Sequence, residues 1–131
     1  MIALDTHTLV WWASADDSLS RKAKRAIEQE LDGGEIIISA ISAWEIAMLV
    51  EREKLVLSMD VDRWLATVAD IAAVRIVPVD VEISVKSVNL PGEFHKDPAD
   101  RMIVATARKF AIPLVTKDEK IRAYPHVKTL W

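Results

Sequence analysis

Five short apolar runs divide the sequence: IALD (2–5), EIIIS (35–39), VRIVPV (74–79), IPLVT (112–116) and VKTL (127–130). They are rich in β-branched residues and nearly continuous rather than alternating, as strands are when both faces of their sheet are covered. Between them lie segments with helical spacing, LSRKAKRAIEQEL (19–31), SAWEIAMLVERE (42–53), DVDRWLATVADI (60–71), VEISVKSV (81–88) and PADRMIVATARKF (98–110). Strand and helix alternate almost throughout. Parallel neighbours need a crossover long enough for a helix, so this order predicts a parallel α/β sandwich with right-handed connections. A chain of 131 residues has room for one such core and no more, which predicts a single domain over 1–131.

Composition removes whole classes of chemistry. There is no cysteine, hence no disulfide, thiolate metal site or cysteine nucleophile. Only three glycines are present, and none belongs to a phosphate-cradling loop or a dinucleotide fingerprint. Kinase, P-loop NTPase and Rossmann dehydrogenase readings fall on that ground. The net charge of −3 argues against coating nucleic acid by bulk positive charge, so any such contact is local. Between His95 and Arg122 the balance reverses, which reads either as solvated helix faces or as such a local contact. The N-terminal segment has no basic leader, and no apolar run approaches the roughly 18 residues of a membrane span. The expectation is a cytoplasmic protein.

The acids carry the functional signal. Folds of this kind bind ligands outside the carboxyl ends of their strands. Asp5 closes the first run, Glu45 lies about one turn into the helix after the second, Asp97 and Asp100 open the helix at 98, and Asp118 follows IPLVT by two residues. Each alone reads as a helix-terminus residue. Asp97 before Pro98 is an N-cap candidate, Asp100 suits the helix dipole, SAWE (42–45) reads as a capping box, and Asp118 is placed to cap EKIRAY. Together they read differently. Two carboxylates about 4 Å apart repel by roughly 4 kcal/mol at an effective dielectric near 20, so several in one crevice call for a cation. An all-oxygen set suits Mg²⁺ or Mn²⁺ rather than zinc, and the substrate that accompanies such an ion is a phosphate ester or anhydride. In-line attack by activated water then needs no covalent nucleophile. Arg101 and Lys117 stand close enough in sequence to hold the rest of a polyanion. His7, His95 and His126 are scattered and read as structural, while the five tryptophans read as core or interface, with base stacking open to one of them.

Four stretches, LDTHTLVWW, ISAISAWEIAMLVEREKL, FHKDPADRMIVATA and LVTKDEKIRAY, resemble in order and spacing the PIN-domain ribonucleases of the VapC toxin type, over essentially the whole chain. The resemblance implies a three-layer α/β/α sandwich around a mostly parallel five-stranded sheet, and Mg²⁺- or Mn²⁺-dependent endonucleolytic cleavage of RNA. It implies that Asp5, Glu45, Asp100 and Asp118 are the metal-holding acids, with Asp97 an additional acid beside them and Thr116 supporting the last one. It also implies a homodimer acting as one half of a toxin–antitoxin pair, with a small antitoxin in the active-site groove.

Two other readings compete. A phosphoacceptor receiver domain has a similar length and fold, with KLVLSMD ending in Asp60 as acceptor, but it leaves Glu45, Asp100 and Asp118 without a shared task. A non-catalytic RNA-binding module would retain RNA without cutting it.

Overall fold

The computed structural model describes residues 1–131. Five strands, β1 (Ile2–Leu4), β2 (Ile36–Ser39), β3 (Val74–Val77), β4 (Leu114–Val115) and β5 (Thr129–Leu130), form one sheet in the order β3-β2-β1-β4-β5. All four pairings are parallel. The helices are α1 (Thr6–Ala13), α2 (Arg21–Leu31), α3 (Ala40–Glu51), α4 (Val61–Ala69), α5 (Val81–Val88), α6 (Pro98–Phe110) and α7 (Glu119–Ala123). None is long and apolar enough to cross a membrane.

Side-chain alternation along the strands makes two cores. Ile2, Leu4, Ile36 and Ile38 face one side of the sheet, where Leu9, Ile27, Ile46, Trp64 and Val68 of α1 to α4 cover them. Ala3, Ile37, Val77 and Leu114 face the other, packed by Ile83, Ile103, Val104 and Ile121 of α5, α6 and α7. The expected α/β/α sandwich is present, and the continuous apolar runs are explained: successive residues feed opposite cores.

Local detail differs from the sequence reading in three places. DTHTLVWW holds a helix, α1, that apolar periodicity does not reveal because Trp11, Trp12 and Val10 stand consecutively. Helix α3 starts at Ala40, capped by the Ser39 hydroxyl on Ile41 N (3.2 Å), so Ser42 and Glu45 lie inside it and SAWE is not a capping box. Residues 52–60 contain no strand, and Asp60 caps α4 through Arg63 N (3.0 Å). A phosphoacceptor has to follow a strand at the sheet edge, so the receiver reading fails here.

Winding reverses at β1. The chain moves outward through β2 and β3, then returns to lay β4 on the opposite side of β1. The carboxyl ends of β1 and β4 therefore flank the switch point, where an open α/β sheet leaves a crevice. One residue fixes the wall of that crevice. Arg101 of α6 donates from Nε to Ser87 O (2.8 Å), from Nη1 to Phe94 O (3.0 Å) and His95 O (3.2 Å), and from Nη2 to Val88 O (3.2 Å). Its fork is spent on the backbone of the α5–α6 connection, which corrects the reading of Arg101 as a polyanion contact. Arg101→Met should lower the unfolding free energy by about 2–4 kcal/mol in urea titrations, since several carbonyls lose their donor at once. Arg101→Lys should recover less than half of that, because an ammonium cannot reproduce the fork.

Candidate active site

A cavity of about 500 Å³ opens at the switch point, and Asp5, Glu45, Asp97, Asp100 and Asp118 all line it. Thr6, His7, Trp11, Lys117 and Glu119 complete the wall, with Trp11 the only hydrophobic residue. Elements distant in sequence supply these acids. Asp5 and Asp118 follow β1 and β4, Glu45 projects from α3, and Asp97 and Asp100 stand at the start of α6.

The local fold holds four of these five carboxylates by the hydrogen bonds they make. Asp5, only 8% exposed, caps α1 by accepting from Thr8 N at Oδ1 (2.9 Å) and accepts the Thr116 hydroxyl at Oδ2. Thr116 Oγ1 in turn accepts from Asp118 N (3.0 Å), so one buried hydroxyl joins the first acid to the backbone of the last. The Thr8 hydroxyl donates to Val115 O (3.0 Å), tying α1 to the end of β4. Asp97 caps α6 through Asp100 N (3.0 Å), and Asp118 caps α7 through Ile121 N (3.0 Å). Capping occupies one oxygen of Asp97 and of Asp118, and the second oxygen of each lies outside the cap. The Thr6 hydroxyl donates to Glu45 Oε1 (2.5 Å) and lies 2.9 Å from the buried Ser42 hydroxyl. Thr6, Thr8 and Ser42 carried no functional signal in sequence, since a hydroxyl that supports a distant carboxylate has no spacing of its own.

Crowding shows in the acidities. Burial and the charges of Asp97, Asp118, Glu45 and Asp5 push the Asp100 carboxyl up to about 7. Burial also raises Glu45, with Asp97 and Asp5 adding to the rise while the Thr6 hydrogen bond and His7 oppose it. Both shifts have the same origin: carboxyls taken partly out of water, with like charges beside them.

Around the acids stand His7, His95 and Trp11, which the sequence read as structural, and Lys117, which it read as a polyanion contact. His95 Nε2 lies 3.0 Å from Asp100 Oδ2. Trp11 packs against Trp131 (5.8 Å between ring centroids), with the His7 ring 5.7 Å away and Lys117 Nζ 5.8 Å from its centroid. Lys117 is the one lysine or arginine on the cavity wall.

Apart from the His7 imidazole, the donors on the wall are carboxylate and hydroxyl oxygens, the preference of hard divalent cations. No three of the acidic or histidine side chains stand close enough to enclose an ion by themselves. Such a site suits an ion that keeps water and substrate oxygens among its ligands beside the carboxylates, as Mg²⁺ commonly does.

The chain has relatives among known proteins. The PIN domain family matches residues 2–127. Ribonuclease VapC22 of Mycobacterium tuberculosis is 38% identical over 132 residues, covering 99% of this chain and 98% of its own. Among solved structures, a toxin–antitoxin complex from Klebsiella pneumoniae matches with a TM-score of 0.66 at 22% identity, over 97% of this chain and 95% of the other. VapC20 of Mycobacterium tuberculosis, described as a toxin cleaving the sarcin–ricin loop, matches with a TM-score of 0.66 at 18% identity, over 98% of this chain and 99% of its own. With its five-stranded parallel sheet, its acid-lined switch point and a family match from the first strand to within a few residues of the C-terminus, this chain belongs to the PIN domain family.

Proposed function

We propose that this protein is a Mg²⁺- or Mn²⁺-dependent endoribonuclease, the toxin of a toxin–antitoxin pair acting in the cytoplasm. The observation that carries the reading is the gathering of Asp5, Glu45, Asp97, Asp100 and Asp118 in one cavity, crowded enough to push Asp100 to about 7. Its 38% identity to a ribonuclease supports RNA as substrate, and its likeness to a toxin–antitoxin complex supports a small antitoxin that covers the active-site groove. The working form in this proposal is a homodimer.

Asp5, Glu45, Asp100 and Asp118 would hold the cation, with Asp97 adding negative charge beside them. When bound, the cation supplies positive charge to the scissile phosphate and activates water for in-line attack on phosphorus. The chain's own residues set the geometry. Thr116 and Thr8 N fix both oxygens of Asp5, so that carboxylate presents one orientation. Thr6 does the same for one oxygen of Glu45. Asp97 and Asp118 are anchored by their caps, which places their charge without further side-chain support. Lys117 at the rim offers an ammonium to the phosphate backbone, which steers a polyanion toward a site whose floor is acidic.

Purified protein given a structured RNA mixture with Mg²⁺ or Mn²⁺ should make specific cuts that vanish with EDTA. Asp100→Asn keeps the shape and loses the charge, and should reduce cleavage by on the order of 100-fold or more. RNA retained but never cut by folded, antitoxin-free protein would favour the non-catalytic binding module instead.

The acidity of Asp100 also fixes a pH dependence. Its folded-state pKa, about 7, lies above the ordinary value of 3.8, so the fold favours the protonated form. The associated stability is present in full below the ordinary value and is lost as pH rises through about 7. Cation-free protein should therefore melt at a higher temperature near pH 5.5 than near pH 8, and Asp100→Asn should narrow the difference. Mn²⁺ should raise the melting temperature more near pH 8, where the acids it binds are ionised. Calorimetry at both pH values, with and without Mn²⁺, checks both statements.

A further inference from the structure

We propose that His95 is the positioning residue for Asp100, acting as a fixed ring N–H donor that holds this carboxylate in its cation-binding orientation. The inference rests on the metal-dependent reading above and deepens it.

Three observations carry it. First, Nε2 of His95 lies 3.0 Å from Asp100 Oδ2, and both side chains are 23% exposed. Second, that nitrogen is buried and makes no aligned hydrogen bond to any group, Asp100 included. A buried ring nitrogen left unpaired is costly and rare, and here a carboxylate that would help to hold the cation lies 3.0 Å from it. Catalytic hydrogen bonds are often poorly aligned in an unliganded protein and tighten once the ligand is bound. Third, the ring is held where it is. The Arg101 fork takes the Phe94 and His95 carbonyls (3.0 and 3.2 Å). The imidazole meets the Phe94 ring edge-on (4.5 Å between centroids), and Phe94 packs on Tyr124 (4.7 Å), whose hydroxyl donates to Pro91 O (2.5 Å). Arg101 follows Asp100 in the chain, so the residue that clamps the loop and the residue the loop serves move together on the first turn of α6.

A histidine kept only for packing would have no reason to bring a bare nitrogen within 3.0 Å of a crowded carboxylate. Asp5 is gripped at both oxygens and Glu45 at one, whereas Asp100 makes no side-chain hydrogen bond to any hydroxyl or amide. His95 supplies the missing support. A ring N–H on Oδ2 would fix the orientation of a carboxylate that would help to hold the cation, as an outer hydrogen-bond partner fixes a metal ligand.

The test is calorimetric titration of Mn²⁺ into RNA-free protein, with cleavage of the RNA mixture measured alongside. His95→Leu should weaken Mn²⁺ binding by on the order of 10–100-fold, and cleavage should fall with it. His95→Gln, whose amide nitrogen reaches close to the position of Nε2, should restore binding to within about threefold of the native protein, which a purely structural role would not produce. If His95→Leu does not fold, His95→Asn serves in its place: its amide stops short of Asp100 and should bind as weakly as the leucine variant was expected to. Native Mn²⁺ affinity in His95→Leu or His95→Asn, or equal losses in the glutamine variant and the shorter one, would overturn the assignment. Native protein that neither binds Mn²⁺ nor cuts RNA would instead overturn the metal-dependent reading itself.

Discussion

Mutual repulsion among carboxylates is the constraint to which the active-site end of this protein answers. Six acids line one cavity, and burial, together with the charges of four of them, lifts Asp100 to about 7. Such a cluster weakens the fold that contains it, so the stability has to come from elsewhere. It comes from the two apolar layers on either side of the sheet, where Leu4, Ile36, Ile37, Leu114 and Val104 are fully buried. The cavity opens on one edge of that sheet, where acids at strand ends and helix starts meet water. Core and site are thus separated in space, which is how a rigid scaffold tolerates an unfavourable charge cluster.

Cap and ligand are not competing roles here. Asp5, Asp97 and Asp118 each accept a backbone N–H at the start of a helix, and all three line the cavity. Helix starts orient a short acidic side chain at no extra conformational cost, and the dipole favours its ionised form. In a parallel sheet the helix that follows a strand begins at the strand's carboxyl end. The residues best placed to cap are therefore those best placed to line the crevice. Asp100 and Glu45 stand apart, because neither caps a helix, and these two have their carboxyls pushed up by burial and by their neighbours.

Most of the fold was legible because parallel α/β architecture writes itself into local pattern. Buried strands appear as unbroken β-branched runs and exposed helices as periodic ones. What escaped was local. Helix α1 has an apolar face too broad to show periodicity, and Ser39 rather than Ser42 caps α3 because the helix begins at Ala40, directly after the strand. The acids were legible in the same way, by position after a strand or before a helix. Their supporting groups were not: Thr6 meets Glu45 from 39 residues away, and Thr116 meets Asp5 from 111.

By itself the sequence determined the class of fold, the chemistry excluded by the absence of cysteine and phosphate-binding glycines, and the edge at which the acids belong. These are properties of composition and short-range spacing, readable wherever one residue's neighbours in the chain are also its neighbours in space. Tertiary structure alone decided which hydroxyl holds which carboxylate, that Arg101 grips four backbone carbonyls rather than a polyanion, and that His95 turns a buried nitrogen toward Asp100. The reason is physical. A hydrogen bond depends on distances of a few tenths of an ångström between groups far apart in the chain, and those distances exist only after the sheet has wound outward from β1 and returned to its other side.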